Sequence, residues 1–117
     1  VHDGAFLWHG PRGALRIGNP DNGNRDWRAD NLGLQSFAYG DDALASGHLS
    51  FAGGGGATAA GSWSVALGSG PHASGAGAIA LGMAPRASGT AAVALGGEAR
   101  AEARHSVAIG RAATALD

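Results

Sequence analysis

Cysteine and lysine are both missing from this chain, and large side chains are scarce. The absence of cysteine removes a disulfide frame, a thiol nucleophile and any Cys-based metal site. All eight basic residues are Arg, so a phosphate-loop lysine and Schiff-base chemistry are excluded as well. A formal net charge of -1 gives no electrostatic reason to expect nucleic acid or an anionic membrane as partner. No apolar run approaches the length of a membrane-crossing helix. The opening "VHDGAFLWHG" lacks the charged and apolar regions of a secretion signal, so any signal or anchor is expected outside these residues.

What the chain does have is 22 Gly and 27 Ala among its 117 residues. An ordinary two-layer core cannot be filled with hydrogens and methyls. Yet a hydrophobic fraction of 44% argues against simple disorder. The order of the small residues resolves the conflict. The phrases "SVALG", "AIALG", "AVALG" and "SVAIG" end at Gly68, Gly82, Gly96 and Gly110, and the same spacing runs back through Gly54 to Gly40. The period is 14 residues, and repeats of this length point to a solenoid. Two positions before these glycines stand Ala38, Ala52, Ala66, Ala80, Ala94 and Ala108. Five positions after them stand Ala45, Ala59, Ala73, Ala87, Ala101 and Ala115. Small residues also recur at Ser36, Ser50, Ser64, Ala78, Ala92 and Ser106, and at Gly47, Gly61, Gly75, Gly89 and Ala103.

Each unit therefore contains two segments in which every second residue is small, the alternation of a β-strand with one special face. Two strands of about five residues and two bends make one turn of a β-solenoid. Its interior must be thin enough to admit only the smallest groups, and Ala→Leu there overpacks it. A glycine every seventh residue rules out a helix.

The outer faces of the two strands differ. The first presents Phe37, Tyr39, Phe51, Val65, Leu67, Ile79, Leu81, Val93, Leu95, Val107 and Ile109, interrupted only by Gly53. On the second the expected outward residues are Ser46 and His48, Thr58 and Ser62, His72 and Ser74, Arg86 and Ser88, and Arg100 and Glu102. One sheet is apolar outside and the other polar. A continuous apolar ribbon of this size is rarely left in water. Covering its side chains gains on the order of 20 kcal/mol gross, before the costs of association. The ribbon predicts self-association about an axis parallel to the roll, without fixing the number of copies.

The "SVAIG" phrase, the period and the Ala/Gly filling resemble the YadA-like head repeats of trimeric autotransporter adhesins. The resemblance covers about residues 36 to 117, with a degenerate unit "ALRIG" ending at Gly18. It implies an all-β, left-handed parallel β-roll assembled as a parallel homotrimer, with the Val/Ile positions around the three-fold axis as the seam. It also implies display on the outer surface of a Gram-negative bacterium, with membrane attachment only through a C-terminal anchor outside these residues. The partners it implies are host extracellular-matrix proteins, such as collagen or fibronectin, or cell-surface receptors.

Residues 1–34 depart from the pattern and are read as a divergent first coil with an insert and an N-terminal cap; residues 35–117 are the regular repeats. The insert at 19–31 is dense in turn formers and reads as a capping segment or a binding loop. Arg16 stands where every later unit has Ala, so the first coil is expected to be open or distorted there.

Other motifs dissolve on inspection. Gly-x-Gly-x-x-Ala recurs three times as a by-product of the repeat, not as a single dinucleotide fingerprint between strand and helix. No turn from Gly53 to Gly110 carries the Asp that calcium-binding β-rolls use, and the histidines occupy different repeat positions. No metal, cofactor or catalytic set is expected, and the chain reads as a binding protein, not an enzyme. Trp63, His72, Arg86, Arg100 and Arg104 are the candidate ligand-facing residues. The function expected is a bacterial adhesin head acting by polyvalent attachment; the alternative is a structural spacer with no ligand of its own. An ice-binding solenoid would need aligned threonines, and Thr58, Thr90 and Thr114 form no ladder.

Overall fold

A computed structural model describes residues 5–19, 27 and 31–116. Fourteen short strands form two sheets. The larger sheet contains β1 (Ala5–His9), β2 (Ala14–Asn19), β3 (Phe37–Asp41), β5 (Phe51–Gly53), β7 (Val65–Ser69), β9 (Ile79–Met83), β11 (Val93–Leu95) and β13 (Val107–Ile109), in that order. The smaller sheet stacks β4 (Leu44–Ala45), β6 (Thr58–Ala59), β8 (His72–Ala73), β10 (Arg86–Ala87), β12 (Arg100–Ala101) and β14 (Thr114–Ala115). From β2 onward every pairing is parallel, and from β3 each partner lies one 14-residue coil away, as in Val65↔Ile79↔Val93↔Val107. The chain is thus an all-β solenoid of about six turns.

The core is the alanine stack. Ala52, Ala66, Ala80 and Ala94 of the larger sheet face Ala59, Ala73, Ala87 and Ala101 of the smaller one, all fully buried. A third column, Ala57, Pro71, Pro85 and Ala99, fills the side of the roll. Serine enters this interior only where its hydroxyl has a partner. Ser36, Ser50 and Ser64 donate to the carbonyls of Gly33, Gly47 and Gly61 at 2.6 Å, and Ser106 to that of Ala103 at 2.6 Å. Each closes its own bend, so a buried hydroxyl carries no desolvation penalty without return.

The two glycine ladders have separate causes. Gly40, Gly54, Gly68, Gly82, Gly96 and Gly110 hold φ between 108 and 131°, a conformation open only to glycine. Gly47, Gly61 and Gly75 lie against the carbonyl of the equivalent glycine in the next coil, with no space for a Cβ. Each coil also carries two left-handed bend positions that the sequence leaves unmarked. One runs through Gln35, Leu49, Trp63, Gly77, Ala91 and His105, and the other through Asp42, Gly56, Gly70, Ala84, Glu98 and Ala112.

Three expectations are modified. The strands of the smaller sheet are two residues long, not about five, because the bends take more of each coil. His48 and Ser62 consequently lie in the bends, and the outward column of that sheet is Leu44, Thr58, His72, Arg86, Arg100 and Thr114. The degenerate unit continues the larger sheet: β2 pairs with β3 in register, and β1 folds back antiparallel onto β2.

Arg16 does not distort β2, where it pairs with Ala38. Its side chain is buried and runs across the open end of the roll. One nitrogen, Nη2, donates to the Ala45 carbonyl at 2.8 Å, to the Ser36 hydroxyl at 2.9 Å and to the Asn31 carbonyl at 3.5 Å. The other, Nη1, donates to the carbonyls of Leu15 at 3.0 Å and Ser36 at 3.3 Å. In the next coil the Ala59 carbonyl receives the backbone N–H of both Ser46 and Gly47. At Ala45 the second is supplied by Gly33 and the first is replaced by the guanidinium. Arg16 thus substitutes a side-chain donor for a strand that is not there. Burial lowers its pKa to about 10, which still leaves it a cation near neutrality. The insert at 19–31 lies outside the described residues apart from Asn19, Trp27 and Asn31.

Candidate interaction surfaces

Three surfaces remain once the core is filled: the outer face of each sheet and the bends. The face of the larger sheet carries the apolar ribbon. Phe37, Phe51, Val65, Leu67, Ile79, Leu81, Val93 and Leu95 are half-buried, whereas Tyr39, Val107 and Ile109 are exposed. Neighbouring coils cover the flanks of each side chain and leave its tip in water. Near the N-terminal end the ribbon is aromatic. Phe37 and Phe51 stack with centroids 5.0 Å apart, and Tyr39 leans on them at 5.9 and 6.1 Å.

Gly53, the gap in the sequence pattern, is a seat. A Cβ there would strike the Tyr39 ring and come within 3.0 Å of Leu67 Cδ2. The Tyr39 ring thus fills the place in the ribbon that residue 53 leaves open. The ribbon also extends beyond the eleven expected residues. Register places Leu15 beside Phe37, Ile17 beside Tyr39, Trp8 beside Leu15 and Phe6 beside Ile17. Phe6 is 69% and Trp8 60% exposed on this same face. The alternation in "AFLWH" and "ALRIG" carries this signal, but the segments lie outside the regular units and the antiparallel return is not written in the repeat.

The smaller sheet presents the polar face. His72, Arg86 and Arg100 stack on consecutive coils, as the repeat position requires. Arg100 is paired with Glu102, which neutralises one end of this column. Arg104 and Arg111 sit in opposite bends, at different edges of the roll. Trp63 lies in the bend that leads into the larger sheet, 62% exposed and with φ of 60°. The five candidate ligand-facing residues therefore do not form one site. Among the described residues no group of three or more His, Asp or Glu side chains is placed to hold a metal ion, and no helix is long and apolar enough to cross a membrane.

Sheets, register and core define a parallel β-solenoid built to show one apolar and one polar face. Residues 64–83 and 87–115 match the YadA head domain repeat in two copies. These residues carry YadA-like head repeats, of the kind found in trimeric autotransporter adhesins, proteins displayed on the Gram-negative bacterial surface. Comparison with curated proteins and with solved structures gives no match. Adhesin-type function, which is not catalytic, is what this family carries.

Proposed function

We propose that this chain is the attachment head of a surface fibre, working as a parallel homotrimer of left-handed rolls. The observation that carries the reading is the apolar ribbon on the larger sheet, lengthened at its N-terminal end by Phe6, Trp8, Leu15 and Ile17. Three such ribbons facing one axis remove from water what a single chain cannot cover. The polar sheets and the bends then form the outside of the rod. Attachment to a host matrix protein or receptor would come from many weak contacts, since three copies on one rod and many rods on one cell raise the effective concentration of each.

Sedimentation equilibrium at decreasing concentration tests the seam. A stable trimer is expected, and Leu81→Asp should dissociate it by placing three unpaired carboxylates at the axis. A folded monomer of the unaltered chain refutes the seam and leaves the ribbon itself as the surface to which a partner binds. Binding of the trimer to immobilised collagen or fibronectin separates an attachment head from an inert spacer.

A further inference from the structure

Three exposed apolar side chains stand apart from the ribbon, on the bends that lead into the larger sheet: Leu34, Leu49 and Trp63. Leu49 and Trp63 hold the same place in consecutive coils. The Trp63 N–H donates to the His48 carbonyl at 2.7 Å, and the Leu49 N–H to that of Leu34 at 2.8 Å. Both residues are held at left-handed φ, 57° and 60°. That conformation costs a residue with a Cβ roughly 1–2 kcal/mol, and Gly77 occupies the same bend one coil further on. An indole that is 62% exposed recovers little of this cost by burial within the chain. The stacked coils impose the same left-handed φ on Gln35, Ala91 and His105 in this column; what singles out Trp63 is a large indole left in water, which points to a contact outside the chain.

The N-terminal side of this strip is a cleft of about 380 Å³ between the Gly10–Arg12 turn and the bend at Gln35. The Gln35 N–H, bonded to the Arg12 carbonyl at 2.7 Å, holds its two sides together. Among the described residues the cleft is lined by His48, Gln35 and Arg12 beside Leu34 and by no carboxylate, and Arg12 Nη1 also donates to the Leu32 carbonyl at 3.3 Å. On the other side, Gly77 and Ala91 follow Trp63 in its column and are too small to cover the indole.

We propose that this strip binds a saccharide chain. The C–H faces of a sugar ring suit an exposed indole, which is apolar on its face and polar only at its edge. Sugar hydroxyls can both donate and accept, as a wall of amide, imidazole and guanidinium requires. A purely apolar peptide would leave those groups unpaired, and a cation would meet no carboxylate. The inference rests on the reading in which the larger sheet is covered by other copies and this edge is not.

The test uses the protein in its native assembly, with lactose, cellobiose, chitotriose and sialyllactose as soluble probes and an array of immobilised glycans. Binding is read by isothermal titration calorimetry, and exposure of the Trp63 indole by its fluorescence in a Trp8→Phe, Trp27→Phe background. At least one saccharide should bind, and Trp63→Ala or His48→Ala should weaken it on the order of tenfold, while Arg111→Ala, in the opposite bend, leaves it unchanged. Trp63→Gly, which relieves the strained backbone and so does not threaten folding, should lose binding equally. Absence of saccharide binding at millimolar concentration overturns the proposal. So does undiminished binding by both Trp63 variants, or an indole already shielded from acrylamide in the unliganded assembly. Sedimentation separates the two readings: a trimer that binds no saccharide leaves the seam intact, whereas a monomer removes the premise.

Discussion

Gly55 and Gly75 are two glycines of one solenoid, and the same substitution should have opposite effects at them. At Gly55 an added Cβ meets nothing within 4 Å, and φ is not in the left-handed region. Gly55→Ala should therefore be neutral or stabilising by about 0.4–1 kcal/mol through the lower entropy of the unfolded chain. At Gly75 the added Cβ falls on the carbonyl of Gly89, 2.5 Å from its carbon and 2.9 Å from the Ser88 oxygen. Ordinary contact begins near 3.4 Å. The two coils must then part by about 1 Å, against an interior packed as closely as a crystal. The Gly75 N–H bond to the Ala87 carbonyl, already 3.3 Å long, would be lost. Overpacking at about 1–3 kcal/mol and one broken hydrogen bond at about 1 kcal/mol give a loss of roughly 2–4 kcal/mol per chain. For a domain of this size that lowers Tm by roughly 10–20 °C. Thermal unfolding followed by far-ultraviolet circular dichroism, at one fixed protein concentration, measures both variants. Equal shifts for the two would refute the claim that close approach of successive coils dictates this ladder.

Tyr39 and Gly53 should be energetically coupled. Gly53→Ala is expected to destabilise the wild-type background but to be much milder in Tyr39→Ala, with a coupling of about 0.5–3 kcal/mol in a double-mutant unfolding cycle; simple additivity would show that the ring does not need the vacancy. Ala84 and Ala91 sit at φ of 57°, so Ala84→Gly and Ala91→Gly should each stabilise by about 0.5–1 kcal/mol in denaturant unfolding, the strain removed being partly offset by unfolded-chain entropy. Arg16→Ala should cost about 2–3 kcal/mol, because the Ser36 and Ala45 acceptors lose their charged donor. Burial lowers the folded-state pKa of Arg16 from the ordinary guanidinium value to about 10, so the folded chain releases this proton first and the linked stability rises as pH increases through 10. Across pH 5–9 Arg16 is charged in both states, and the deficit of the variant should be constant there.

The regular coils were legible because one physical requirement repeats in register. Every second residue must be small to fit the roll, so Ala66, Ala80 and Ala94 mark the inside without reference to anything distant. Strand length in the smaller sheet was harder to read, because Ser46 and His48 alternate in polarity just as a longer strand would. The bends were opaque for another reason. Leu49, Trp63, Ala84 and Glu98 take a left-handed conformation for which they have no preference, because the stacked coils impose it. Arg16 misled in an instructive way. Its residue type argued for a broken coil, yet its long side chain follows the roll's end and supplies the donor that a missing strand would have given. The apolar ribbon was visible from Phe37 onward, but its start at Phe6 depends on an antiparallel return that no repeat announces.

The direction of the ladders has a mechanical consequence. Strands run across the rod, so the backbone bonds that join one coil to the next lie along its length. A pull on the two ends loads these bonds in series, not all at once, and the least stable coil yields first. A coil of 14 residues drawn straight reaches about 50 Å, against about 4.8 Å of rise when folded. Each yielding coil would thus lengthen the tether roughly tenfold over its own height while the remaining coils stay folded. A stack of similar turns loaded in series is in this respect an extensible shock absorber.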